Sequence, residues 1–291
     1  MLLKDFIKDS TAALQGLYPA EEAGTMVRIL ASEHLGVTSY AHILDPTLQI
    51  PEASLPWLQE AMRRLSEGEP LQYVLGSAEF CSFRFRVTPA VLIPRPETEE
   101  LLMKAAAATR SVKESPAKVL DLCTGSGCIA WSIALSVPGS EVTAVDISRE
   151  ALDVAAGQEF SDILRERHAR APHFLLEDVL GECSSLDGLR FDVIVSNPPY
   201  VMDSQKAQMR PNVLDHEPGL AHFVSDDDPL IFYRAVSRLA MRLLSEGGHG
   251  FVEINDLLGP QTRDLFVQAG FHGVSLMQDF YGKDRIIEFV K

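Results

Sequence analysis

Between residues 118 and 254 short apolar runs alternate with longer amphipathic ones, and no other feature restricts the fold of this 291-residue chain as tightly. The strand-like runs are Lys118–Leu122, Glu141–Val145, His173–Glu177, Phe191–Ser196 and Gly250–Ile254. Helical periodicity covers Cys128–Val137, Arg149–Glu159, Pro229–Leu244 and Pro260–Ala269. Strands that are apolar almost throughout are buried on both faces, so the series predicts an α/β fold with a mainly parallel sheet under helices on either side. Val274–Phe280 and Arg285–Val290 flank Tyr281-Gly282-Lys283-Asp284 and predict a C-terminal hairpin that adds an antiparallel edge.

The first 75 residues follow a different period. Leu2, Leu3, Phe6, Ile7 and Leu14, then Met26, Val27, Leu30 and Leu35 after Pro19-Ala-Glu-Glu22, recur at helical spacing. Shorter helices are expected over 38–44 and 56–67, the latter with a Leu58, Met62, Leu65 stripe. Phe80, Phe83, Phe85 and Val87 alternate with Arg84 and Arg86 as in a half-exposed strand or hairpin, and Pro89, Pro94 and Pro96 then break regular structure. The expected organisation is a small all-helical domain at 1–75, a strand or hairpin linker at 76–95 and the α/β domain at 96–291.

Composition excludes several classes. With 26 Lys+Arg against 41 Asp+Glu the net charge is −15, which repels polyanions at long range and argues against stable nucleic-acid binding. The four cysteines, at 81, 123, 128 and 183, have neither disulfide-framework nor zinc-site spacing, so reduced thiols and no metal are expected. Lys4, Asp5, Lys8 and Asp9 interrupt any signal-like stretch, and no run of apolar residues suits a membrane span. A soluble cytoplasmic protein, acting as a monomer, is the expectation.

The first strand of the α/β series ends in Asp121-Leu-Cys123-Thr124-Gly125-Ser126-Gly127-Cys128. Two glycines permit a tight turn close to a ligand, and the helix that follows offers free N–H groups. Asp146, 19 positions beyond Gly127 at the end of the next strand, can accept hydrogen bonds from both hydroxyls of a ribose. Nicotinamide dinucleotides and S-adenosylmethionine both satisfy this pattern.

Asn197-Pro198-Pro199-Tyr200, directly after the apolar strand Phe191–Ser196, separates the two. The nitrogen of an amide or amino-purine is a poor nucleophile because its lone pair is delocalised. The Asn197 side-chain oxygen and the Pro198 carbonyl could accept its two hydrogens and aim the lone pair at an electrophile, with Tyr200 as a flat wall. Methyl transfer to planar nitrogen uses this arrangement; hydride transfer does not.

These motifs together resemble the class I S-adenosylmethionine-dependent methyltransferases, whose domain is Rossmann-like. Glu69-Pro-Leu-Gln-Tyr-Val-Leu-Gly76, Glu79-Phe80 and Val91-Leu-Ile-Pro-Arg-Pro-Glu-Thr-Glu-Glu100 further resemble the peptide chain release factor N5-glutamine methyltransferases, over about residues 66–290. The resemblance implies methylation of the glutamine in the Gly-Gly-Gln loop of release factors, with S-adenosylmethionine as cofactor and the helical domain reading the protein substrate. It implies that Cys123, Thr124, Gly125, Ser126 and Gly127 line the methionine end of the cofactor and that Asp146 holds its ribose. Asp178 and Val179 would border the adenine, Asn197, Pro198, Pro199 and Tyr200 would grip the glutamine, and Arg95 to Glu99 would form the pocket rim. Cys123 stands where glycine is commoner, and Gln158 near a position that is often asparagine.

Two rivals keep the chemistry: a ribosomal-protein glutamine methyltransferase, which Pro96-Glu-Thr-Glu99 fits less well, and a nucleic-acid base N-methyltransferase, which the charge disfavours. A dehydrogenase or a non-catalytic adenosine-binding module accounts for the glycine turn and leaves Asn197 to Tyr200 unexplained. Arg165, Arg167, His168 and Arg170 read as a solvated helix end, and Glu253 as a satisfied acid at a strand end.

Overall fold

The computed structural model describes residues 1–113 and 116–291. The chain divides into two compact units, one formed by 1–77 with 210–216, the other by 78–209 with 217–291.

The first unit is helical. Helices α1 (Leu3–Leu14), α2 (Ala20–Leu35), α3 (Ala41–Leu44), α4 (Leu55–Ser66) and α5 (Leu71–Leu75) surround a core that includes Leu14, Val27, Leu30, Leu58 and Leu65. Burial of Leu3, Phe6, Ile7, Ser10 and Leu14 puts one face of α1 inward at three- and four-residue spacing. Helix α5 is an addition to the expected set. Pro70 precedes its first residue and Gly76, at φ +70°, ends it in the left-handed region. Arg64 pairs with Glu69 at 2.5 Å and donates to the Tyr73 carbonyl, which pins this turn to α4.

The second unit opens with a two-stranded sheet, β1 (Ser77–Phe80) and β2 (Phe83–Arg86), joined through Cys81 and Ser82, both at positive φ. Phe80 and Phe85 are buried in the same cluster as Leu101 and Trp131, so residues 78–95 pack as part of this unit. After them come α6 (Pro96–Ser111), β3 (Lys118–Leu122), α7 (Cys128–Ser136), β4 (Glu141–Asp146), α8 (Arg149–Ala156), α9 (Ser161–Arg167) and β5 (His173–Leu176). The chain continues through β6 (Phe191–Ser196), β7 (Val201–Met202), α10 (Pro211–His216, in the first unit) and β8 (Phe223–Val224). It ends with α11 (Ile231–Leu243), β9 (Leu244–Glu253), α12 (Gly259–Gln268), β10 (His272–Gln278) and β11 (Asp284–Val290).

Seven strands form the main sheet in the order β10-β11-β9-β6-β3-β4-β5. Pairs β3–β4, β4–β5, β3–β6 and β6–β9 are parallel, whereas β11 joins β9 and β10 joins β11 antiparallel. This is the expected Rossmann-like sheet with its C-terminal hairpin. Side chains of β3 alternate between two cores: Val119 faces the cluster with Phe85 and Trp131, and Leu120 and Leu122 face that with Leu239 and Phe266. Strand β9 starts earlier than its predicted Gly250. The chain leaves α11 in an extended conformation at Leu244 and passes Gly247 (φ +77°) with a register shift against β6, so the residues ahead of Gly250 join the strand through a bulge. Among the described residues no helix is long and apolar enough to cross a membrane.

The antiparallel edge depends on Gly250, which pairs with Phe289. A Cβ at 250 would lie 2.0 Å from the Phe289 ring, itself 4.5 Å from the ring centres of both Phe266 and Phe271. Gly250→Ala should therefore lower the unfolding free energy by about 1–3 kcal/mol, the usual cost of overpacking. In denaturant titrations Phe289→Leu in that background should recover part of the loss; additive losses would disprove the clash.

Candidate active site

Strands β4 and β5 extend the sheet on one side of β3, and β6 and β9 on the other, so the chain reverses direction across the sheet between β3 and β6. Ligands bind at the carboxyl ends of strands at such a switch point. A cavity of about 1130 Å³, counted out to its open mouth, occupies that position. It is floored by the segments that follow β3, β4, β5 and β6.

The turn after β3 enters the left-handed region three times, at Cys123 (φ +63°), Gly125 (φ +54°) and Gly127 (φ +78°). The first of these is the position where glycine is commoner, and the Cys123 side chain accepts the strained backbone there. Thr124 donates its N–H to the Val145 carbonyl at 3.0 Å and its hydroxyl to the buried Asp121 at 2.6 Å, which holds the turn between β3 and β4. Asp146 then accepts from the Gly125 N–H at 2.8 Å and the Ser148 N–H at 2.9 Å. A carboxylate offers about four lone-pair positions, so capacity remains for two ribose hydroxyls.

Of the residues proposed from sequence for the cofactor, Cys123, Thr124, Gly125, Ser126, Asp146, Asp178 and Val179 lie on the cavity wall. Gly127 does not. Its α-carbon faces α8, where a Cβ would meet Ala155 Cβ at 3.0 Å and the Trp131 ring at 3.1 Å, so its smallness serves helix packing. Asn197 and Pro199 line the cavity, while Pro198 and Tyr200 are off its wall. The Tyr200 phenol donates to Glu253 at 2.9 Å, and its backbone N–H and carbonyl bond His222 and Asn255, so Tyr200 anchors the loop and forms no flat wall.

The charges on the wall decide between the two cofactor classes. Among the described residues, Asp146, Glu177 and Asp178 line it with a single cation, Arg95, whose guanidinium is 2.6 Å from the Glu217 carboxylate. A pyrophosphate would meet carboxylates with no free cation among the lining residues. A cofactor that carries a sulfonium and an ammonium fits, as does its uncharged nucleoside against Ile147, Val179, Leu180 and Phe232.

Several contacts that hold this site escaped the sequence reading. Thr98, on the first turn of α6, receives the Asn197 side-chain amide at 3.1 Å and donates to Glu253 at 2.7 Å. Glu217 is buried between Arg95 and His222 and also receives the Ile93 N–H. Gln158 bonds both backbone groups of Arg86 and the Ser126 carbonyl, a bridge from β2 to the turn after β3. Among these, Thr98 lies within the expected pocket rim 95–99 and Gln158 is a departure from the resemblance; Glu217 has no sequence signal. The basic run is structural: Arg167 caps the Leu135 carbonyl at 3.0 Å, Arg165 faces Asp162, and Arg170 pairs with Glu141.

Burial raises the carboxyl pKa of Asp146, partly offset by the N–H donors of Ser148 and Gly125. It raises Glu253 too, against the hydroxyls of Thr98 and Tyr200 and the charge of Arg285. Burial and the carboxylates of Asp146 and Asp121 hold the Cys123 thiol well above its usual range, so it stays protonated at neutral pH and is no nucleophile. For Glu217 burial works upward as well, but His222 and Arg95 outweigh it and the carboxyl is lowered.

A profile of the PrmC N-terminal domain matches residues 5–76, and one of the methyltransferase small domain matches residues 99–215. The chain is 39% identical over 277 residues to the release factor glutamine methyltransferase of Bacteroides thetaiotaomicron, covering 94% of this chain and 95% of that one. It is 36% identical over 291 residues to the release factor glutamine methyltransferase of Flavobacterium psychrophilum, with 99% of each covered. A crystal structure of a release factor-specific protein-(glutamine-N5) methyltransferase from Alicyclobacillus acidocaldarius is 31% identical, covers 71% of this chain and 99% of its own, and has a TM-score of 0.43.

Burial pushes the Asp121 carboxyl up to about 7, against the Thr124 hydrogen bond and with help from the Asp146 charge. The folded state thus holds this proton more tightly than the unfolded chain, and the group's contribution to stability falls as pH rises through that window. Asp121→Asn keeps an acceptor for Thr124 and removes the titration. In thermal melts its Tm relative to the unsubstituted chain should rise between about pH 5 and about pH 8. A difference that does not change with pH would refute the shift.

Proposed function

This chain belongs to the release factor glutamine methyltransferase family, and from that membership we propose how its residues divide the work. It is an S-adenosylmethionine-dependent methyltransferase, and its substrate in this reading is the side-chain amide of the glutamine in the Gly-Gly-Gln motif of peptide chain release factors. The observation that carries the reading is one cavity lined both by Asn197 and by Asp146 with the turn 123–126.

S-adenosylmethionine, when bound, supplies an electrophilic methyl group on a sulfonium. The turn 123–126 holds its methionine end, Asp146 takes the ribose hydroxyls, and Asp178 and Val179 border the adenine. Asn197 Oδ1, on the cavity wall, accepts a hydrogen of the glutamine amide and holds the nitrogen toward the cavity. Pro199 contributes an apolar contact beside it. Ile147, Leu180 and Phe232 on the wall exclude water from the reacting centre. A general base is unnecessary, because the nitrogen can lose its proton to water once it is methylated. The helical unit reads the release factor, and the enzyme acts as a monomer in the cytoplasm without stable nucleic-acid binding; the net charge of −15 supports that last point.

With labelled S-adenosylmethionine, label should appear on the motif glutamine of a purified release factor and not on ribosomal subunits or DNA. Asn197→Ala should reduce the transfer rate by about 100-fold or more, the scale set by misaligned reactants. Calorimetric affinity for the cofactor should stay within about threefold, since the ribose contact at Asp146 survives. Normal turnover by this variant would reject the assignment of Asn197.

A further inference from the structure

We propose that Thr98, backed by Glu253, is a positioning residue that fixes the Asn197 amide with its oxygen toward the substrate and so selects nitrogen over oxygen as the atom presented for methylation. The inference rests on the reading that Asn197 grips the glutamine amide.

Two buried side chains, Thr98 and Glu253, and the half-buried Asn197 carry it. Thr98 is 2% exposed and Glu253 1% exposed, and they meet at 2.7 Å between Oγ1 and Oε2. The other carboxylate oxygen of Glu253 receives the Tyr200 phenol at 2.9 Å. Asn197 Nδ2 reaches Thr98 Oγ1 at 3.1 Å. A hydroxyl has one hydrogen and a carboxylate has none. With Glu253 as the carboxylate, each hydroxyl spends its only proton on it; burial raises the carboxyl pKa, and these two hydroxyls and the charge of Arg285, whose guanidinium is 3.2 Å from Asp279, act against that rise. Thr98 Oγ1 is left with lone pairs alone on the Asn197 side. Only the NH₂ end of Asn197 can face it, because the carbonyl end would set acceptor against acceptor at hydrogen-bond distance.

The proton count thus dictates the orientation of the Asn197 amide. With Nδ2 held by Thr98, Oδ1 is the end available to a ligand in the cavity, on whose wall both residues lie. It is an acceptor, and of the two ends of a glutamine amide only the NH₂ can satisfy it. A free Asn197 would rotate between two faces, and its NH₂ face would attract the glutamine carbonyl and turn the nitrogen away from the methyl donor. Thr98 and Glu253 touch neither reactant in this scheme. They act through Asn197, from a helix start and a strand end brought together across 155 residues of sequence.

The discriminating variant is Thr98→Val, which keeps the shape and removes the hydroxyl. With active sites counted by cofactor binding, its kcat for release factor methylation should fall by about 30-fold, within the range that misorientation costs. KM for the release factor and affinity for the cofactor should change by less than about threefold, and Thr98→Ser should restore kcat to within about threefold. Thr98→Ala reads the same loss if the valine variant does not fold. Unchanged kcat in both variants would overturn the proposal, as would a change confined to KM or a serine variant as slow as the valine one. Absence of transfer by the unsubstituted enzyme would instead reject the function on which the proposal rests.

Discussion

The site depends on a backbone that must leave a fully buried strand and reach a helix start within five residues. Leaving β3, the chain takes the left-handed region at positions 123, 125 and 127, each for a different reason. Cys123 carries a side chain there and is held by the burial around it. Gly125 exposes its N–H to the Asp146 carboxylate at 2.8 Å. Gly127 gives up its side-chain volume to Ala155 and Trp131 so that α8 can approach α7. Once these three positions are set, the ends of β3 and β4 are tied through Thr124 and Asp146, and the rest of the cofactor wall follows from the parallel register.

The opposite wall is built on another principle. Asn197 leaves β6 into two prolines that supply no N–H donors, so its loop has to be held by side chains and distant backbone. Tyr200 does this three ways, through Glu253, Asn255 and the His222 carbonyl. The same His222 lies 3.4 Å from Glu217, which Arg95 neutralises, so the segment that carries Pro218, Leu220 and Ala221 to the cavity is fastened at both ends. Buried carboxylates here are stabilising only as members of such networks. A lone one would cost several kcal/mol of desolvation.

Much of this was legible in the sequence, and the boundary has a physical cause. The sheet, its hairpin, the glycine turn, Asp146 and Asn197 are written in local patterns: periodicity, turn chemistry, and a residue type at the end of a strand. The contacts of Thr98, Glu217 and Gln158 are not, because their partners lie 155, 122 and 72 positions away and a single Thr, Glu or Gln carries no local sign of a distant partner. Gly127 and Tyr200 belong to motifs that sequence reading assigns to the ligand as a whole. Only the direction of the Gly127 α-carbon and the length of the Tyr200 side chain reveal that these two serve the scaffold. Strand β9 was foreshortened for a related reason, since Gly247 and Gly248 look alike whether they end a strand or bend it.

The charge of the chain takes on a more particular meaning at the cavity. A surplus of acids over bases says only that polyanions are repelled. On the wall, that surplus is arranged so that Arg95, the one cation among the described lining residues, is engaged by Glu217, while Asp146, Glu177 and Asp178 remain for a ligand. Burial of Asp146 raises the free energy of its charged form in the empty site, and a positively charged ligand relieves that penalty while an anion deepens it. The preference for a cationic cofactor over a phosphate-bearing one is therefore written into the energy of the site before any ligand contact is made. In the proposed reading, selection for the neutral glutamine amide belongs instead to Asn197, which carries no charge and offers hydrogen-bond direction. Cofactor and substrate would then be discriminated by different physics, charge for the one and hydrogen-bond direction for the other.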